Sequence, residues 1–216
     1  MYVRSDSFRP YDWLDPRLAL GAYDPASNVR LSSNRNPHLA WSGVPSAAQS
    51  LVVLGWDADV PTEGSTVNRP GVTVPLDLPR ADFFHWVLCD LPASLREIRE
   101  GEHASAVTPH GKPLGPSPSG GRQGLNDYTG WFASDPSMSG DWAGYDGPCP
   151  PWNDERVHGY RFAVYALDVP ALFPQVGPTD RFTGPDVRAA MRGHVLDEAM
   201  IVGRYAIWPP AVAGQR

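Results

Sequence analysis

Apolar residues along this chain gather in short runs of strand length, each closed by proline or glycine. Ser50-Leu-Val-Val-Leu-Gly-Trp56, Phe83-Phe-His-Trp-Val-Leu-Cys89 and Tyr160-Arg-Phe-Ala-Val-Tyr-Ala-Leu167 are rich in β-branched and aromatic side chains, and their length predicts buried strands rather than helices. In the last run Tyr160, Phe162 and Val164 alternate with Arg161, Ala163 and Tyr165, the pattern of a strand with one face more buried than the other. A helical signal comes late. Thr183 supplies an N-cap, Pro185 and Asp186 suit a first turn, Val187, Ala190 and Met191 fall at helical spacing, and Gly193 is a stop. A second short helix over Val195–Ala199 and a strand over Met200–Ala206 are expected to follow.

Between these elements lie three loop-like stretches, Thr62–Arg80, His103–Gly124 and Thr129–Ala143, dense in proline, glycine, serine and aspartate. Loops this long inside a compact domain usually serve a function. No internal repeat or sharp change of composition divides the chain, so one mainly β domain, made of antiparallel sheets with short helices toward the C-terminus, is expected over residues 1–216.

Composition removes several function classes. The net charge is −6 and only 19% of the 216 residues are charged, with a single lysine, Lys112, and no basic cluster able to track phosphates, so no nucleic-acid partner is expected. The N-terminus lacks an apolar signal-like stretch and no run of eighteen apolar residues occurs, so the expectation is a cytoplasmic protein with no transmembrane segment. Cys89 and Cys149 form neither a metal motif nor a disulfide framework and are read as two free thiols.

No nucleophile elbow, zinc-protease motif, phosphate-cradling loop or dinucleotide fingerprint is present. What remains is a set of polar residues at the ends of the apolar runs: Asp57 and Asp59 in Trp56-Asp-Ala-Asp-Val-Pro61, His85 inside the second run, and His158 with Tyr160 opening the third. Each has an ordinary explanation. An Asp-x-Asp-x-Pro after a strand serves turn chemistry, a lone histidine in a strand can be a satisfied core residue, and a tyrosine can reach a backbone carbonyl.

Together these residues resemble the phosphatidylethanolamine-binding protein family, and in particular its bacterial, Raf-kinase-inhibitor-like branch. The resemblance rests on Asp57-Ala-Asp-Val-Pro61, Phe84-His-Trp-Val87, Gly147-Pro-Cys-Pro-Pro151 and His158-Gly-Tyr-Arg-Phe162, with support from Asn36–Pro45, Gly124-Leu-Asn-Asp-Tyr128 and the ending Ala190–Tyr205. It covers about residues 30–208. It implies antiparallel sheets with helices near the C-terminus and a pocket for phosphate-like anions or a phosphatidylethanolamine head group. Carried onto this chain, the ligand-binding residues would be Asp57, His85, His158 and Tyr160. Asp59, Pro61, Gly147, Pro148, Cys149 and Pro150 would form the pocket wall.

Two imidazoles and a phenol offer directional donors, and a carboxylate beside a histidine favours its charged form, which would attract an anion such as phosphate or phosphoethanolamine. The chain departs from the family pattern at Gly159, where a basic residue is common, and in long inserts between Pro61 and His85 and over 129–143, expected near the pocket mouth. The resulting expectation is a non-enzymatic binding or regulatory protein with no cofactor and no metal. A hydrolase or metal-dependent enzyme using the same histidines and aspartates stays open, as do a protease or kinase inhibitor acting through the loops, a protein partner and a homodimer.

Overall fold

The three apolar runs become the core of one antiparallel sheet in the computed structural model, which describes residues 1–173 and 181–213. Along the described residues the strands are β1 (Tyr2–Arg4), β2 (Gly21–Asp24), β3 (Asn28–Leu31), β4 (Leu39–Ser42), β5 (Ser50–Pro61), β6 (Arg80–Pro92), β7 (Glu97–Ile98), β8 (Gly115–Pro116), β9 (Arg122–Gln123), β10 (His158–Leu167) and β11 (Val195–Tyr205). Three helices are short: α1 (Tyr128–Trp131), α2 (Gly184–Ala190) and α3 (Pro209–Ala213). A six-stranded sheet in the order β11-β10-β5-β6-β9-β8 forms the centre, with a three-stranded sheet β1-β4-β7 and the hairpin β2-β3 beside it. Among the described residues no helix is long and apolar enough to cross a membrane.

Both faces of the central sheet are covered, which explains why its strands read as continuous apolar runs. One face carries Leu51, Val53, Trp86, Leu88, Phe162 and Val164, packed against Val3, Leu39, Trp41 and Ile98 of the small sheet. The other carries Val52, Leu54, Phe84, Val87 and Ala163, packed against Phe182, Val187 and Met191 in and around α2. The alternation seen in 160–167 therefore divides side chains between two cores rather than between core and solvent. Each fully buried aliphatic side chain of this kind contributes about 1.5–3 kcal/mol relative to exposure.

The helical signal at 183–191 is met by α2, where the Asp186 carboxylate accepts from the Thr183 N–H and hydroxyl at 2.9 and 2.7 Å. Gly193, just past it, has φ +81°, a left-handed conformation that glycine adopts without strain. The helix expected over Val195–Ala199 does not form. These residues begin β11 and pair with β10 from Leu167↔Val195 onward, because the sheet edge satisfies every other backbone group there and one turn of helix could not. The 103–124 stretch is also not all loop, since β8 and β9 extend the main sheet from it. Likewise α1 lies partly within the segment read as the 129–143 loop.

Candidate functional site

Antiparallel pairing of β5 and β10 places Tyr160 opposite Asp57, so the end of one apolar run meets the start of another. On β6, Gly55 pairs with Trp86 and Trp56 with Phe84, which leaves His85 as the extra residue of a bulge. A bulge re-aims the side chains around it. Phe84 consequently packs into one core and Trp86 into the other, and the His85 ring lies 5.3 Å from that of Tyr160. Asp57, His85 and Tyr160 thereby share the wall of one cavity of about 280 Å³.

His158 stands behind that wall. Its Nδ1 donates to Asp57 Oδ2 at 2.6 Å and its Nε2 to Asp154 Oδ2 at 3.1 Å. Asp154 accepts from Arg80 Nη1 at 2.5 Å, so two buried anions alternate with two cations. Burial alone would lower the His158 pKa, but the charge of Asp57 and the hydrogen bonds to Asp154 and Asp57 raise it to about 9, and the ring is an imidazolium. The same pairing overcomes the upward pull of burial on Asp57 and holds its carboxyl below the usual range. The expectation that His158 donates directly to a ligand is thus corrected: the ring is fully buried and both nitrogens are occupied.

His85 is the opposite case. Its Nδ1 donates to the Asp146 carbonyl at 2.8 Å, so Nε2 is the ring nitrogen left for the cavity. Burial lowers its pKa to about 4, only partly opposed by Asp57, and the imidazole is neutral at neutral pH. On the sequence, a carboxylate is expected to favour the charged form of the ligand-facing histidine; here the imidazole that Asp57 keeps charged is the buried His158, and the one on the wall, His85, is neutral. Among the described residues the Tyr160 hydroxyl is buried and meets hydrogen-bond geometry with no partner, with the Asp57 carboxylate as its polar neighbour. Burial and the Asp57 charge keep that phenol protonated far into the alkaline range.

Of the expected wall residues, Pro61, Cys149 and Pro150 line the cavity, and burial pushes the Cys149 thiol up to about 12. Asp59, Gly147 and Pro148 do not line it. The Asp59 carboxylate accepts from Gly159 N–H at 2.9 Å and from Arg156 at 3.2 Å, so its charge is paired away from the cavity. Gly147 passes so close to the chain at Leu18 that a Cβ would sit 2.1 Å from its carbonyl oxygen, and the Pro148 carbonyl accepts from Leu20 and Gly21. These residues brace the turn rather than face the cavity.

The sequence places the two long inserts near the pocket mouth but does not assign Phe83 or Tyr128 to the wall. Phe83 and Tyr128 pack around His85 with centroid distances of 5.0 and 5.4 Å, and the Tyr128 hydroxyl donates to the Gly147 carbonyl at 2.7 Å. Trp131 of α1 lines the cavity while remaining half-exposed, and Thr62, Gly64, Val67 and Asn68 line it from the first long loop. Both long loops do reach the cavity mouth. Trp142, by contrast, is fully buried behind Tyr128.

Comparison with known proteins agrees with this architecture. A UPF0098 protein of Methanothermobacter thermautotrophicus is 34% identical over 172 residues, covering 80% of this chain and 83% of that protein. One from Aquifex aeolicus is 31% identical over 173 residues, covering 79% and 73%. The crystal structure of Escherichia coli YbcL, described as a new member of the mammalian PEBP family, superposes with a TM-score of 0.64 at 22% identity, covering 95% of this chain and 97% of that one. The family model described as phosphatidylethanolamine-binding protein matches residues 5–206, and the chain belongs to that family.

Proposed function

We propose that the cavity holds the phosphate or similar anionic end of a small molecule, such as a phospholipid head group, and that the protein acts by binding rather than turnover. Family membership implies a binding or regulatory protein. The observation that carries the finer reading is the Tyr160 hydroxyl, a buried donor in a cavity wall without hydrogen-bond geometry to any partner among the described residues. Such groups are rare in native proteins and call for an acceptor. Beside it, His85 offers Nε2 to the same space. A phosphate monoester meets both: one oxygen accepts from Tyr160, and either a P–OH donates to neutral Nε2 or the ring takes up the proton and donates.

The Asp57 charge is no barrier, because the His158 imidazolium lies against it. Two features support binding over turnover: His158 has no nitrogen free to accept a proton, which leaves His85 Nε2 as the imidazole base on this wall, and the Cys149 thiol is too basic to be an effective nucleophile at neutral pH.

Titration calorimetry with inorganic phosphate and phosphoethanolamine tests the reading. Replacing Tyr160 by Phe should weaken binding by about tenfold, the worth of one hydrogen bond to a charged group. Because the bound complex carries one extra proton, affinity should fall as pH rises above the ligand's second pKa, about 6 for the monoester. Equal affinity of wild type and Tyr160→Phe, or a pH-independent profile, would refute it.

A further inference from the structure

The cavity has one wall whose construction the anion reading leaves unexplained. The 62–79 segment leaves and rejoins the sheet at Thr62, whose N–H donates to the Pro79 carbonyl at 3.0 Å. Its middle is held by a single buried side chain. Asn153, fully buried, donates through Nδ2 to the carbonyls of Thr66 and Val72 at 2.8 and 2.7 Å, and its Oδ1 accepts from the Asn68 N–H at 2.8 Å. The Asn153 carbonyl accepts from Val74 N–H at 3.0 Å, and Asn68 answers by accepting from Trp152 N–H at 3.1 Å. Arg80 adds a bond to the Pro75 carbonyl at 3.0 Å.

A loop with this much internal satisfaction is a fixed surface. What it presents to the cavity is Thr62, Gly64, Val67 and Asn68, facing a space that Phe83 and the half-exposed Trp131 also line. None of these six carries a charge. The charged and titratable end of the cavity, Asp57 and His85, is on the sheet.

We propose that the 62–79 segment, clasped by Asn153, is the wall that reads the substituent on the anionic group, favouring phosphate esters of small apolar alcohols over inorganic phosphate. Asn153 is the positioning residue that builds this wall, and Val67 is a contact within it. The inference rests on the anion reading above for the placement of the phosphate, and it adds what lies beyond the phosphate.

The test compares inorganic phosphate with butyl phosphate by titration calorimetry. Wild type should bind butyl phosphate at least about tenfold more tightly, since burying even two methylenes is worth that much. Val67→Ala should reduce the ratio about threefold, somewhat less than the worth of one buried methylene, while leaving inorganic phosphate unchanged. Asn153→Ala should bring the ratio close to one and raise amide hydrogen exchange across residues 64–76, again with phosphate affinity retained. Should Asn153→Ala fail to fold, Val67→Ala alone decides. A ratio unmoved by both variants overturns the proposal, as does an equal loss for both ligands, which would assign these residues to the anion end. If wild type binds phosphate but no more tightly with the butyl group attached, the wall does not read the substituent although the anion reading stands. Binding of neither ligand by folded wild type overturns both.

Discussion

Two buried aspartates lie close together in this molecule, and they are used in opposite ways. Asp146 is saturated by the frame: its carboxylate accepts from Asn34 at 2.7 Å, Lys112 at 2.9 Å and Asn126 at 2.9 Å, and it does not line the cavity. Asp57 accepts from the Asp59 N–H at 2.8 Å and from His158, yet it also forms part of the cavity wall beside a phenol with no well-formed hydrogen bond among the described residues. Burial dominates at Asp146 and pushes its carboxyl upward despite Lys112, whereas the imidazolium holds Asp57 downward. Closure of every hydrogen bond marks a group that holds the fold. An open bond beside a cavity marks a group that can hold something else.

Stability measurements should separate the two regions. Asp146→Ala leaves the Lys112 ammonium and two buried amides without their partner, and should cost about 3–5 kcal/mol in urea unfolding, the largest effect of any substitution considered. A cost below about 1 kcal/mol would mean that this cluster is not a structural anchor.

Next in size are two pH effects of opposite sign. The folded-state pKa of His158 is raised to about 9, so its contribution is complete below about 6.5, the unfolded value, and is lost as pH rises through 9. The folded-state pKa of His85 is lowered to about 4, so its neutral form stabilises the protein above about 6.5 and that contribution is lost as pH falls toward 4. Burial also lowers His103 to about 4, with the same acid-side sign, so His85→Gln should remove only part of the acid loss. His158→Gln should flatten the alkaline side between 6.5 and 9. Urea midpoints from pH 4 to 10 give both slopes, and an unchanged alkaline slope in His158→Gln would contradict the buried-imidazolium assignment.

The smallest expected change is at Tyr160. Tyr160→Phe removes a hydroxyl with no well-formed hydrogen bond among the described residues, so stability should be unchanged or rise by up to about 1 kcal/mol. A clear loss would show that the hydroxyl already has a partner in the free protein.

Much of this was legible in the sequence, for local reasons. The central strands announce themselves because both of their faces are buried, and Asp57 and Tyr160 at the ends of apolar runs and His85 within one stand in motifs that resemble the family. The actual role of His158 was not legible from those motifs, since it depends on Asp154, four residues earlier, being turned back onto Nε2. An aspartate at that spacing from a histidine is the one signal that could have shown it. The bulge at His85 depends on β5–β6 register, and the remaining wall draws Phe83, Tyr128, Trp131 and Val67 from separate segments that only the fold brings together. The misread 195–199 stretch is exposed and mixed in character, and its strand conformation comes from β10 alongside it rather than from its own residues.

The central claim is that an anion enters the cavity against His85 Nε2 and the Tyr160 hydroxyl. Nitrogen-15 NMR of histidine-labelled protein, titrated in pH with and without saturating inorganic phosphate, tests it at the atom concerned. Without phosphate His85 should titrate near 4. With phosphate its pKa should rise by at least about one unit, the linked effect of a tenfold preference of the anion for the charged ring, while His158 stays protonated up to about 9. A His85 Nε2 resonance whose chemical shift and titration phosphate both leave unmoved would contradict the account.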